Sequence, residues 1–183
     1  MSADGKGCSP GDRPEPGDRP EPGDSPEEVR HEWQRGARLG VDVGSVRVGV
    51  AICDPDGILA TPLATLRRDL NPDTNRIPDD VAELMRLVEV HESVEVVVGL
   101  PVTLAGTEGL AATHARAYAQ LLARAIAPVP VRLADERMST AVASRRLSER
   151  GVRGGRRRAV VDQAAAVEIL QGWLDAARRR RDA

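Results

Sequence analysis

Hydrophobic and polar positions begin to alternate at Arg38. In RLGVDVG, Leu39, Val41 and Val43 fall on one side and Gly40, Asp42 and Gly44 on the other, the period-2 pattern of a strand. After a turn near Ser45, the run Val46, Val48, Val50 and Ile52 predicts a second strand and a hairpin. ILATPLATL, from Ile58 to Leu66, predicts a third strand. Pro62 inside it predicts an edge position, because proline has no N–H for a ladder. The period then lengthens. Leu84, Leu87, Val88 and His91 share one face of a helix predicted from Pro78 to Glu92, with Asp79 and Asp80 in its first turn, where acids suit the dipole. His91 reads as a helix-end residue.

The second half repeats a strand–helix rhythm. VEVVV, Val94 to Val98, predicts a strand, and its spacing from the earlier strands is that of a parallel pair. The Gly- and Pro-rich stretch 99–109 follows it, and open α/β sheets bind ligands at such carboxyl ends. Thr107 can cap an alanine-rich helix to about Ala127. Val131 to Ala134 predicts a fifth strand. A helix capped by Ser139 or Thr140 to about Arg150 and a last helix from Val160 to about Ala177 complete the reading.

Residues 10–27 differ in kind: PGDRPE, PGDRPE and PGDSPE repeat with a period of six. Such a segment buries too little apolar area to offset chain entropy, and a disordered tail is expected. The expected organisation is a Pro/Gly/Asp-rich tail over 1–36, one domain over 37–177 and a basic tail over 178–183. Residues 1–35 hold no predicted element, so their removal is expected to leave melting unchanged. The chain of 183 residues has no phenylalanine, two tryptophans and one tyrosine, so its core must be Val, Leu, Ile and Ala. No run is long enough to cross a bilayer. Cys8 and Cys53 form neither a disulfide framework nor a metal spacing, and the expected location is the cytoplasm.

Charge is unevenly spread. Residues 1–36 carry nine acids and five cations, a net of −4 that leaves +2 for the rest of a chain whose total is −2. Lys6 is the only lysine. The arginine total reads as codon bias, but its clustering does not: residues 145–158 hold seven arginines and one glutamate. Arg153, Arg156, Arg157 and Arg158 lie in GVRGGRRR, expected to be a loop, where guanidinium groups suit phosphates.

Three acidic positions are candidates for chemistry. Asp42 interrupts a strand, where a carboxylate is costly unless paired, hydrogen-bonded or on a metal. Its flanking glycines leave the backbone open to close approach. Asp135 and Glu136 end the fifth strand and, as neighbours, point to opposite faces, so only one can meet Asp42. Asp162 shares a helix face with Ala166, Ile169 and Trp173, heading an apolar stripe. Alanines at 164–166 would let that helix lie close on the sheet. Carboxylates converging without His or Cys suit hard cations such as Mg²⁺ or Mn²⁺.

DVGSVRVGVA, VVVGLP with Gly106, Thr107 and Glu108 after it, DERMST and VDQAAAVEIL, in this order, resemble the YqgF family. These are pre-16S ribosomal RNA nucleases related to Holliday junction resolvases, with the ribonuclease H-like fold. The likeness covers about residues 37–175. It implies an α/β architecture: a five-stranded mixed sheet, its first three strands antiparallel, with helices on both faces. It also implies a divalent-metal site at Asp42, Glu136 and Asp162, with Asp135 the alternative to Glu136. Arg137, Ser139 and Thr140 beside the acids, with Arg153 and Arg156–Arg158, are the expected substrate contacts. The expected partner is nucleic acid, precursor ribosomal RNA or branched DNA, with no membrane, for a monomer or homodimer. Two other classes compete. Actin-like ATPases share an Asp-x-Gly hairpin but need a second lobe for which this chain has no room. A nucleic-acid-binding module with a vestigial site is the non-enzymatic alternative.

Overall fold

The β-branched runs form strands and the 3.6-period segments form helices. The computed structural model describes residues 33–70, 76–101, 109–135 and 155–183, and for Asp135 and 155–160 the backbone alone. Its elements are β1 (Arg38–Val43), β2 (Arg47–Cys53), β3 (Ala60–Arg67), α1 (Asp79–Val90), β4 (Glu95–Leu100), α2 (Leu110–Ala125), β5 (Val131–Asp135) and α3 (Gly155–Arg181). The N-terminal repeat, Thr107 and the helix expected after Thr140 lie outside the described residues. No helix among the described residues is long and apolar enough to cross a membrane.

The strands form one sheet in the order β3-β2-β1-β4-β5. β1, β2 and β3 are antiparallel neighbours, while β4 runs parallel to β1 and β5 parallel to β4. β3 is at the edge, as Pro62 required, and the register slips between Val50 and Ala51 where β2 meets it. The two faces of the sheet carry different residues. Leu39, Val41, Val48, Val50, Val96 and Val98 pack with Val81, Leu84 and Leu87 of α1 and with Tyr118 and Leu122 of α2. The opposite face carries Gly40, Asp42 and Gly49, and α3 lies on it through Ala166 and Leu170.

The last helix departs from expectation at both ends. It begins at Gly155 rather than Val160 and continues through Arg181, so Arg156–Arg158 belong to its first turns and not to a loop. Five residues more at the start add over one turn. At the far end, arginines suit the negative end of the dipole. Arg178 also donates to the Gly57 carbonyl at 3.1 Å, tying the helix to the β2–β3 turn. Trp173 is half-buried rather than core: the Arg38 guanidinium lies 5.7 Å from its ring centroid, within cation–π range. Cys53 is buried at the end of β2, and burial pushes its thiol up, consistent with an inert small hydrophobe.

Two buried polar groups hold the layers together. On the α3 face, Arg38 Nε donates to Glu95 at 3.1 Å and its other nitrogens donate to the carbonyls of Gly36 and Gln34. On the opposite face, Asp80 is buried in the first turn of α1 and does more than balance a dipole. It accepts from Tyr118 Oη at 2.9 Å and from the Asp69 N–H at 3.2 Å. Arg68 lies 5.1 Å from the Tyr118 ring and donates to the Gly44 carbonyl at 3.2 Å. This cluster links α1, α2 and the end of β3 to the β1–β2 turn.

The Gln34 carbonyl corrects the expectation that residues 1–35 are dispensable. Deleting 1–32 should leave melting unchanged. Deleting 1–35 removes an acceptor of the buried Arg38 at 2.7 Å and should cost about 1 kcal/mol, a fall of about 3 °C by differential scanning fluorimetry.

Tyr118 provides a spectroscopic test of the second cluster. Burial first, then the charge and hydrogen bond of Asp80, push its phenol well above the usual range of a tyrosine. The folded state therefore holds a proton that the unfolded chain releases. Stability is fully present below pH ~10 and falls above it by about 1.4 kcal/mol per pH unit. Because Tyr118 is the only tyrosine, phenolate absorbance should appear only as the protein unfolds, and Tyr118→Phe should flatten the alkaline slope. Ionisation near pH 10 in the folded protein would show the Asp80 bond to be absent.

Candidate active site

Asp42 sits on the face of β1 that α3 covers, and it is buried. Its strand partner is Gly49 of β2. A methyl group on Gly49 would stand 2.0 Å from the Asp162 carbonyl oxygen and 3.2 Å from the Gln163 nitrogen. The backbone of α3 at Asp162 therefore rests on Gly49, one strand away from Asp42. A second contact of this kind lies two residues back along β1: a methyl on Gly40 would meet the Ala166 carbonyl at 2.9 Å and Leu170 Cβ at 2.6 Å. Glycine at both positions lets the helix backbone come down onto the sheet, which brings two carboxylate-bearing residues from distant parts of the chain together.

Several expectations change here. The room beside Asp42 at Gly40 is filled by the protein's own helix, and Gly44 meets the Arg47 carbonyl of its own turn. Ala166 makes the close approach, whereas Ala164 is exposed and takes no part. Asp162 lies about two turns inside α3, so it is not an acid balancing a helix amino terminus, where the dipole effect is confined.

Asp162 is half-exposed. Its Oδ2 stands 3.9 Å from Nη1 of Arg47, with the two side chains 30% and 32% exposed. This is an ion pair and too long for a hydrogen bond. The Arg68 bond to the Gly44 carbonyl holds the turn between Asp42 and Arg47. Sequence reasoning passed over Gly49 and Arg47. Gly49 had one available signal, an isolated glycine inside a β-branched run, the mark of a close backbone approach.

Asp135 pairs with Leu100 and Ala134 with Gly99. Leu100, the register partner of Asp135, packs with Ala112 and Ala115 of α2. Glu136, Arg137, Ser139, Thr140 and Arg153 lie outside the described residues. Arg156, Arg157 and Arg158 are placed by their backbone in the first turns of α3. Among the described residues, no three His, Cys, Asp or Glu side chains gather as a metal cluster. The described part of the site is thus two acids and one arginine at the carboxyl end of β1.

The seat of α3 on Gly49 is open to test. Gly49→Ala should lose about 1–3 kcal/mol in chemical denaturation, the usual cost of overpacking, and should displace Asp162. Gly109→Ala, where an added methyl meets nothing within 4 Å, should change stability by less than about 0.5 kcal/mol. Equal effects of the two would mean that α3 does not rest on Gly49.

Residues 36–176 match the family model described as RuvX, Holliday junction resolvase. A Rhodococcus erythropolis (strain PR4) protein named "Putative pre-16S rRNA nuclease" is 54% identical over 143 residues, 77% of this chain and 78% of its own. A protein of the same name from Mycobacterium sp. (strain KMS) is 58% identical over 141 residues, covering 77% and 80%. Among solved structures, Thermus thermophilus RuvC in complex with a Holliday junction substrate is 12% identical with a TM-score of 0.43, covering 80% of this chain and 96% of that one. The family model spans seven elements whole, α3 as far as residue 176, and both acids of the described site. The chain belongs to the RuvX family, the YqgF family of the sequence resemblance, and is a nuclease that hydrolyses phosphodiester bonds.

Proposed function

We propose that this nuclease cleaves precursor 16S ribosomal RNA at its 5′ end, using Asp42, Glu136 and Asp162 as its catalytic carboxylates. The observation that carries the site is the seat of the α3 backbone on Gly49, the strand partner of Asp42. The name borne by relatives 54–58% identical to this chain supports the substrate.

The residues present fit a hard divalent cation. Asp42 and Asp162 offer oxygen donors, with no histidine or cysteine among them, the donor set of Mg²⁺ or Mn²⁺. Glu136 is the proposed third donor, on the likeness of DERMST to the family motif, with Asp135 the alternative. A bound cation of this class supplies an activated water and stabilises the leaving oxygen. The chain's own contribution is placement. Asp42 is fixed by the sheet, Asp162 by the helix seated on Gly49, and Arg68 steadies the turn between Asp42 and Arg47. Arg137, Ser139, Thr140, Arg153 and Arg156–Arg158 are the proposed contacts to the substrate backbone.

The second reading, cleavage of branched DNA, is favoured by the family description, Holliday junction resolvase. Both substrates present phosphates to the same acids. Purified protein with Mn²⁺, offered a 5′-extended 16S precursor and a four-way DNA junction side by side, separates them. Faster cutting of the precursor is expected, and faster cutting of the junction would transfer the assignment. Asp42→Asn should abolish cleavage, with melting unchanged or raised as carboxylate repulsion is relieved. Wild-type turnover by that variant would sink the catalytic assignment.

A further inference from the structure

Arg47 opens β2, Arg67 closes β3, and the register sets them directly opposite each other. Opposed residues of an antiparallel pair share a face, and here that face is the one carrying Gly49 and, one strand inward, Asp42. Like charges so placed weaken a sheet. The strand sequences RVGVAIC and ATPLATLR contain no acid to interleave with them. Arg67 is exposed, and Arg47 is about one-third exposed. The acid facing Arg47 from α3 is Asp162, at 3.9 Å, a distance and exposure at which an ion pair contributes little to stability. The fold thus holds two arginines opposite each other on neighbouring strands, on the face of the acids, without burying either in its core.

We propose that Arg47 and Arg67 form a two-arginine seat for one backbone phosphate of the nucleic-acid substrate. The inference rests on the nuclease reading of the neighbouring acids and adds a binding site to it on the β2–β3 side, away from the arginines at the start of α3. The guanidinium fork matches phosphate oxygens in a bidentate manner, and two forks on adjacent strands grip one phosphate while its mutual neutralisation relieves their repulsion. Arg47 has a second consequence. Standing against Asp162, it competes with any cation for that carboxylate. A phosphate that draws Arg47 away removes that competition, so nucleic acid and cation assist each other's binding, and the coupling is reciprocal.

The test uses the full chain with Arg47→Ala, Arg67→Ala, the double variant and the two lysine replacements. Affinity for a 5′-extended 16S precursor fragment and for a four-way DNA junction is measured against salt without divalent metal. Mn²⁺ affinity is measured separately by calorimetry. Each alanine should lower the slope of log affinity against log salt by about one unit and the pair by about two, while the lysines keep the slope. Arg47→Ala should bind Mn²⁺ about two- to fivefold more tightly, the range set by an exposed pair, and Arg67→Ala should not. Melting should hold, or rise for Arg67→Ala as the repulsion goes. An unchanged slope in the double variant overturns the seat, whatever happens to melting. Wild-type binding without salt dependence on either nucleic acid would overturn the nuclease reading and the seat together. Asp42→Asn that still cuts would overturn only the assignment of the acids.

Discussion

The contact on which the rest depends is backbone on backbone: the last helix resting on Gly49 and Gly40. Helices normally stand off a sheet by the thickness of their side chains. Here the Asp162 and Ala166 carbonyl oxygens occupy the space that a Cβ on β2 or β1 would fill. Close packing of this kind has little slack, since interiors are dense and a single methyl is felt. The position of Asp162 relative to Asp42 is therefore a consequence of two missing methyl groups, and it does not depend on a long side chain finding its rotamer. A site that needs carboxylates held within tenths of an ångström gains from being built on a strand and a helix rather than on loops.

Around that contact the sheet divides its labour between faces. One face is apolar, built without phenylalanine from valine, leucine and isoleucine under two short helices. A polar cluster intrudes on it, Asp80 with Tyr118 and Arg68, and reaches across the end of the sheet to the Gly44 carbonyl. The other face carries charge at both ends of β1: Arg38 with Glu95 at the start and Asp42 near the finish. The first pair is nearly closed to solvent, and Arg132 adds a second cation to Glu95 at 3.2 Å. Breaking one partner of such a group leaves an uncompensated buried charge. The two ends of β1 thus share a composition and differ in use: one is closed and structural, the other stands beside the half-exposed Asp162.

Much of this was legible before any coordinates. The alternation of Leu39, Val41 and Val43 located β1, Pro62 located the edge, and a carboxylate in a β-branched run marked Asp42. What could not be read has physical causes. The isolated Gly49 in a β-branched run signals a close backbone approach but not what approaches, because that is a helix more than a hundred residues away. Arg47 was hidden by the abundance of arginine, since pattern carries no information where one residue type supplies almost every cation. The start of α3 was missed because Gly154 and Gly155 punctuate like a loop, yet the helix takes in Gly155. Asp80 met every expectation for a first-turn acid, and only the packing of α2 against α1 reveals that its partner is Tyr118.

The arrangement of charge at the site follows from the same economy of space. The proposed site gathers negative charge for a cation and positive charge for a phosphate, and like charges so gathered repel one another. On this sheet Asp42 of β1 stands opposite Gly49 of β2, and Arg47 lies two residues nearer the turn, opposite Arg67 of β3, with Asp162 facing Arg47 from α3. The register decides the spacing: Arg47 and Arg67 are one strand width apart, and Asp42 is one strand inward and two residues along. Arg47 and Asp162, 3.9 Å apart, temper each other's charge without a direct hydrogen bond between them. Moving the register of β2 by one residue would turn Arg47 into the apolar core and Val48 onto the acids. The hydrophobic pattern that keeps Val48 and Val50 inside is therefore also what keeps Arg47 at the site.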